Sequence, residues 1–205
     1  MESSRERFLD AADRAFVDQG YQGATIRAVC AASGASLAIL HRNWPSKEAL
    51  FKEVFRRHFD PIHAAQAARF DQLQTLGASH DVEAILLAFY EPAFVNGIDG
   101  RGGSKSVYCR ALVDPAREAK RLVAELIKDT RSRLVGLLRV ALPDLAEAEF
   151  FLVINLVMAA FVFPQAFGHQ LAVAMAFDDS RLDRSATARV MARLVATGVE
   201  RQRPG

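Results

Sequence analysis

Around Gly34, this 205-residue chain gathers cations that could meet a polyanion. Between residues 25 and 57, Arg27, Arg42, Lys47, Lys52, Arg56 and Arg57 stand against Glu48 and Glu53, six cations to two carboxylates and a net +4. Residues 1–24 lean the other way, with Arg5, Arg7 and Arg14 against Glu2, Glu6, Asp10, Asp13 and Asp18, a net −2. Phosphate contact requires such a local concentration of positive charge, although a solvated helical face would present it too. The whole-chain balance, 26 Lys and Arg to 24 Asp and Glu, argues neither way.

Residues that could do covalent chemistry are not framed for it. Ser79, His80 and Asp81 are chain neighbours in a loop, and adjacency in sequence is not the geometry of a triad. There is no HExxH and no Gly-x-Ser-x-Gly turn. His58 and His63 are five apart, off a common helical face, and Cys30 and Cys109 are too few and isolated for zinc or a disulfide framework. The glycine-rich segment 96–106 lacks a lysine at phosphate-loop spacing and follows a helical segment, not a strand. No catalytic residue, metal or cofactor is assigned.

The cations need elements to carry them. Thr25 is a good N-cap, and Ile26, Val29 and Cys30 recur at helical spacing, which predicts a short helix over 26–32. Gly34 can take the left-handed conformation that ends it. Ser36 can cap a second short helix through His41; Pro45 stops the path and Ser46 caps a third, with Ala49, Leu50 and Val54 on one face. Two helices around a short glycine turn match a helix-turn-helix.

From about Arg7 to Phe55 the sequence closely resembles the DNA-binding domain of TetR-family transcriptional regulators. The matching residues are Ala11-Ala12, Phe16, Gly20-Tyr21, Thr25-Ile26, Val29, Ala32, Gly34, Ser36, Leu40, Trp44 (usually phenylalanine in the family), Ser46-Lys47-Glu48 and Leu50. The resemblance implies that Thr25, Ser36, His41 and Lys47 touch the DNA backbone and that residues between Ser36 and Arg42, Leu37 and Ile39 among them, face bases. Arg27 and Arg42 join them through the charge cluster. The family usually has tyrosine at His41 and more polar residues at Leu37 and Ile39. Leu37 and Ile39 can only pack or touch thymine methyls, so either the site is read largely by shape and phosphate spacing or DNA binding has weakened.

The remaining chain predicts an all-α fold: a helix-turn-helix domain over 1–52 and a larger helical ligand-binding and dimerisation domain over 53–205. Helices are expected over 5–18, from Ser46 past a break at Pro61 into 62–73, over 82–95 with an interruption near Pro92, over 117–142, over 145–167 with an Asp144 cap, and over 186–201; 106–114 is a short helix or extended piece. The apolar run 150–163 is shorter than a bilayer span and holds Asn155, so a buried helix is expected rather than a membrane one. The polar N-terminus resembles no signal peptide, and the expected location is the cytoplasm.

The helix over 145–167 is apolar nearly all round and must be covered on both sides; the second cover is expected to be another copy of the chain. Phe151, Val162, Gln165, Met191, Val195 and Gly198 are the expected dimer contacts. The resemblance also implies a pocket for a small apolar ligand, with His63, Phe89, Phe94, Tyr108, Arg110, Asn155, Met158 and Phe161 as candidate lining. The expected partners are a double-stranded DNA operator, a second copy and that ligand, with no membrane. The competing reading is a helical small-molecule or partner-binding protein without useful DNA affinity.

Overall fold

The computed structural model describes residues 3–34, 38, 42–78, 80–96 and 104–201, the side chains of 96, 104–106, 108 and 109 excepted. Among them the regular structure is helical throughout: α1 Ser4–Gly23, α2 Ile26–Ser33, α3 Lys47–Thr75, α4 Val82–Asn96, α5 Ser104–Val113, α6 Arg117–Leu126, α7 Lys128–Ala141, α8 Glu147–Ala174 and α9 Arg184–Glu200, with a short 3-10 turn at Asp179–Arg181. The all-α class is as expected. Two compact units form, one from Met1–Asp60 and Ile98–Ile127, the other from Pro61–Gly97 and Lys128–Gly205. The expected boundary after residue 52 falls inside α3, which passes through Pro61 without ending.

In the first unit, Ser3 and Glu6 close a capping box at the start of α1: the Ser3 hydroxyl accepts from the Glu6 N–H, and the Glu6 carboxylate accepts from the Ser3 N–H at 2.9 Å. The buried stripe of Phe8, Leu9, Ala11, Ala12 and Phe16 follows the helical period. Phe8 stacks on Trp44 with ring centroids 5.0 Å apart, and Phe16 meets Phe51 edge-on at 5.1 Å. At Gly20 the backbone turns to φ 69° and ψ −179°, a region open essentially to glycine alone. Gly20 therefore kinks α1 rather than ending it, and a further turn reaches Gly23. α1 packs on α2 and α5.

In the second unit, α4 and α9 pack along each other, and α4 also meets α7 and α8. The rings of Phe89 and Phe161 lie 4.5 Å apart, Tyr90 stacks near Phe161, and the Tyr90 hydroxyl donates to the Val157 carbonyl at 2.9 Å. Proline sits inside both α4 and α8 without ending either helix. Proline has no N–H to give, which weakens the ladder just before it. At Pro92 the Gln66 amide donates to the Phe89 carbonyl at 2.6 Å, and at Pro164 the Gln165 amide donates to the Phe161 carbonyl at 2.7 Å. Each glutamine thus serves a carbonyl three residues before a proline.

Three further helix expectations change. The single helix expected over 117–142 divides at Ile127, whose φ −94° and ψ 3° unwind one residue while its N–H still reaches the Val123 carbonyl. Glycine or proline does not mark that point in the sequence. The helix expected to close at Gly168 continues to Ala174, because neither Pro164 nor Gly168 has to stop a helix held by packing. At 28 residues, α8 is long and apolar enough, by length and composition, to cross a membrane, so the shortness of 150–163 is no longer an argument. Its start is set by the Glu149 carboxylate accepting from the Ala146 N–H at 3.1 Å, not by an Asp144 cap.

Candidate nucleic-acid interface

Thr25 begins the site as its residue type suggests. Its hydroxyl accepts from the Ala28 N–H at 3.2 Å, capping α2, and Gly34 ends that helix in the left-handed conformation at φ 67°. The Ser46 hydroxyl accepts from the Ala49 N–H at 3.1 Å and caps α3 in the same way. Between these two caps, Ala38 is helical and exposed, as are the side chains of Arg42 and Asn43. Ser36, Leu37, Ile39 and His41, four of the eight expected DNA contacts, lie outside the described residues.

The end of this segment is pinned from below. Trp44 is buried, and its indole N–H donates to the Glu53 carboxylate at 2.6 Å while Arg5 lies over its ring at 5.6 Å and also pairs with Glu53. Tryptophan in this position therefore does more than fill space, since phenylalanine has no donor for Glu53.

The six cations counted in sequence are not equivalent in space. Arg57 pairs with Asp10, and Lys52 pairs with Glu48 at 3.2 Å and Glu125 at 2.9 Å. Lys47 turns back on its own unit: its ammonium donates to the Gln22 carbonyl at 3.2 Å and sits 4.8 Å from the centre of the Tyr21 ring. Burial there pushes its pKa down, against the pull of Asp114. Arg27, Arg42 and Arg56 are exposed and form no ion pair among the described residues. The charge available to a polyanion thus sits on three arginines, because helix packing consumed cations that a count along the chain treats as free.

The turn that feeds α2 is held by a residue the sequence reading passed over. Asp114, 4% exposed, accepts from the Tyr21 N–H with one carboxylate oxygen and from the Ala116 N–H with the other, both at 2.8 Å. Hydrogen bonds to a charged group contribute about 1.5–3 kcal/mol each. The exposed pairs Arg121–Glu48 and Lys52–Glu125 in the same unit are screened by solvent, so Asp114 is the stronger tie. An aspartate before a proline reads in sequence only as a helix stop.

The eight candidate ligand contacts are divided between the two units. Arg110 belongs to the first unit, where its guanidinium lies beside Gly20; the Tyr108 side chain is outside the described residues. Asn155 is exposed and donates to the Phe151 carbonyl of its own helix at 2.8 Å, away from the ring cluster. Phe89, Phe94 and Phe161 are buried in the second unit, with Met158 and His63 half-buried there. Burial pushes the His63 pKa down to about 4. Gln66, missed in the sequence, is fully buried on α3, and its amide oxygen has no hydrogen-bond partner among the described residues.

The expected dimer contacts divide likewise. Phe151 is 65% exposed, Gly198 is exposed, and Val162, Gln165 and Met191 are half-buried. Val195 is only 6% exposed, a correction that follows from helical phase: Ala188, Ala192, Val195, Ala196 and Val199 face inward, leaving Val190 and Leu194 outside with Gly198. On α8 the outward residues are Leu152, Leu156, Phe163, Phe167 and Leu171, while Phe150, Val153, Val157 and Phe161 face in.

Comparison with known proteins bears on both units. Residues 8–54 match the family of bacterial regulatory proteins of the tetR type, and residues 87–198 match the tetracyclin repressor-like C-terminal domain. A search of curated proteins finds no match. Among solved structures, the transcriptional regulator FadR from Bacillus subtilis, in complex with stearoyl-CoA, superposes with a TM-score of 0.65 at 14% identity, covering 94% of this chain and 97% of its own. The fatty acid degradation regulator FadR from Bacillus halodurans gives 0.65 at 15% identity, covering 95% and 98%. A TetR-like transcriptional regulator from Rhodococcus sp. RHA1 gives 0.62 at 22% identity, covering 96% of each chain. With a capped helix-turn-helix at one end and a matching helical domain over the remainder, the chain belongs to the TetR family of transcriptional regulators.

Proposed function

We propose that this protein is a cytoplasmic homodimeric repressor that binds a near-palindromic operator and releases it when a small apolar ligand occupies the second unit. The observation that carries the reading is the Thr25-capped α2 ending at left-handed Gly34, with the Ser46-capped α3 further along and Arg27 and Arg42 exposed and without an ion pair among the described residues. A dimer carries two such elements, spaced to meet half-sites about one DNA turn (~34 Å) apart. The outward apolar faces of α8 and α9 are what the second copy would cover.

Ligand binding relieves repression only through its differential affinity for the two subunit arrangements. Support for an apolar ligand comes from the aromatic lining offered by Phe89, Phe94 and Phe161, and from the acyl thioester held by the Bacillus subtilis neighbour. Gln66, Met158 and His63 are the polar and adaptable groups nearest in kind to such a role.

The test is fluorescence anisotropy with the duplex upstream of the protein's own coding sequence, titrated at several salt concentrations, with stearoyl-CoA as the first ligand probe. Arg27→Ala and Arg42→Ala are each expected to reduce the slope of log K against log salt by about one. Absence of binding at every salt concentration, while the probe still raises the melting temperature, would replace this reading with that of a ligand-binding protein.

A further inference from the structure

The kink in α1 leaves a short turn, residues 21–24, between the body of that helix and α2, with the Ala24 N–H bonded to the Gly20 carbonyl at 3.1 Å. Thr25, the cap of α2, follows at once. Whatever orients this turn therefore orients the entry to the helix-turn-helix. Three groups hold it. Asp114 accepts the Tyr21 N–H at its leading end, where a helical turn has a free donor and favours negative charge. Lys47 donates to the Gln22 carbonyl from the opposite sign of charge and covers the Tyr21 ring. Phe51 meets that ring edge-on at 5.1 Å. Two of the three come from α3; Asp114 comes from 93 residues away, in the junction between α5 and α6.

The fit at that point is close. A side-chain carbon added to Gly20 would stand 2.8 Å from the Asp114 carboxylate oxygen and 3.1 Å from the Arg110 guanidinium. Glycine is thus required at residue 20 twice, by its positive φ and by the approach of this carboxylate. Asp114 also begins one residue after α5 ends at Val113, and its second oxygen holds the start of α6 through Ala116. One carboxylate ties three chain segments together.

We propose that Asp114 is a positioning residue for operator binding: by capping the turn after Gly20 it fixes the angle at which α2 and the segment following Gly34 leave α1, so that displacement of α5 changes DNA affinity through this carboxylate. The proposal rests on the DNA-binding reading above, and its experiment separates the two. Asp114→Ala and Asp114→Asn are made in the full-length protein, with Arg27→Ala as a comparison that loses a phosphate contact and leaves the turn intact. Tyr21 amide hydrogen exchange is followed without DNA, and operator affinity is measured at one fixed salt concentration.

In Asp114→Ala, Tyr21 amide exchange is expected to quicken at least tenfold and operator affinity to fall tenfold or more with helix content unchanged. Asp114→Asn, which keeps one acceptor oxygen, is expected to fall between Asp114→Ala and the parent. Arg27→Ala is expected to lose affinity with Tyr21 exchange unaltered. Should Asp114→Ala fold poorly, Asp114→Asn carries both readouts, and faster Tyr21 exchange with weaker operator binding is expected in it. Unaltered Tyr21 exchange in Asp114→Ala, or parental operator affinity alongside faster exchange, would overturn the proposal. A parent that binds no duplex removes the operator role, and the Tyr21 exchange then reports the capping contact alone.

Discussion

Aromatic rings pack in both units, but the contacts that set the local geometry differ between them. In the first, the parts that matter for DNA are fixed by directed polar contacts: Thr25 and Ser46 cap α2 and α3, Trp44 donates to Glu53, and Asp114 receives the turn after Gly20. In the second, Phe89, Tyr90 and Phe161 fill the contact between α4 and α8, with the Tyr90 hydroxyl on the Val157 carbonyl as a polar tie across it. Directed contacts have preferred angles and so preserve one geometry. Ring packing depends mainly on buried area, which tolerates rearrangement provided volume is kept.

This contrast can be broken from either side, beginning where the largest effect is expected. Phe161→Ala removes a fully buried ring that touches both Phe89 and Tyr90, and is expected to cost about 3–5 kcal/mol in chemical denaturation. A loss below ~1 kcal/mol would mean that the second unit is not organised around this ring. Thr25→Ala, in the first unit, is expected to cost only about 1 kcal/mol of stability, because one cap bond goes and no cavity opens. Its effect should show instead in weakened operator binding, and equal sensitivity of stability and binding would dissolve the distinction drawn here.

The smallest effect is expected from pH. Burial lowers the folded-state pKa of His63 from 6.5 to about 4, so the folded state prefers the neutral ring. Its contribution is present above the unfolded pKa and is lost as pH falls from 6.5 towards 4. Partial exposure moderates it. A melting-temperature profile should therefore decline over that window less steeply in His63→Gln than in the parent, and parallel profiles would remove His63 as the cause.

Much of the first unit was legible because its signals are local. A cap residue, a left-handed glycine and a helical stripe lie within a few positions of one another, and Thr25, Gly34 and Ser46 took the roles their types imply. What stayed hidden depended on distant partners. Asp114 looks like a helix stop until it is seen to reach Tyr21, and the sequence gives no sign that Lys47 bonds the Gln22 carbonyl. Val195 failed for another reason, since on a helix rich in small residues the sequence shows poorly which edge of the stripe faces inward. The prolines misled because a proline inside a helix breaks it only when nothing else keeps the two halves in line.

Those prolines have a mechanical consequence. Pro92 and Pro164 weaken their helices close to Phe89 and Phe161, the two residues whose rings meet and whose carbonyls are taken up by glutamine amides. Flexing either rod there sacrifices fewer ladder bonds than flexing it elsewhere, and a long amide side chain can follow the carbonyl as it tilts. The softest points of α4 and α8 consequently lie near one another, each about a helical turn from the Phe89–Phe161 ring contact.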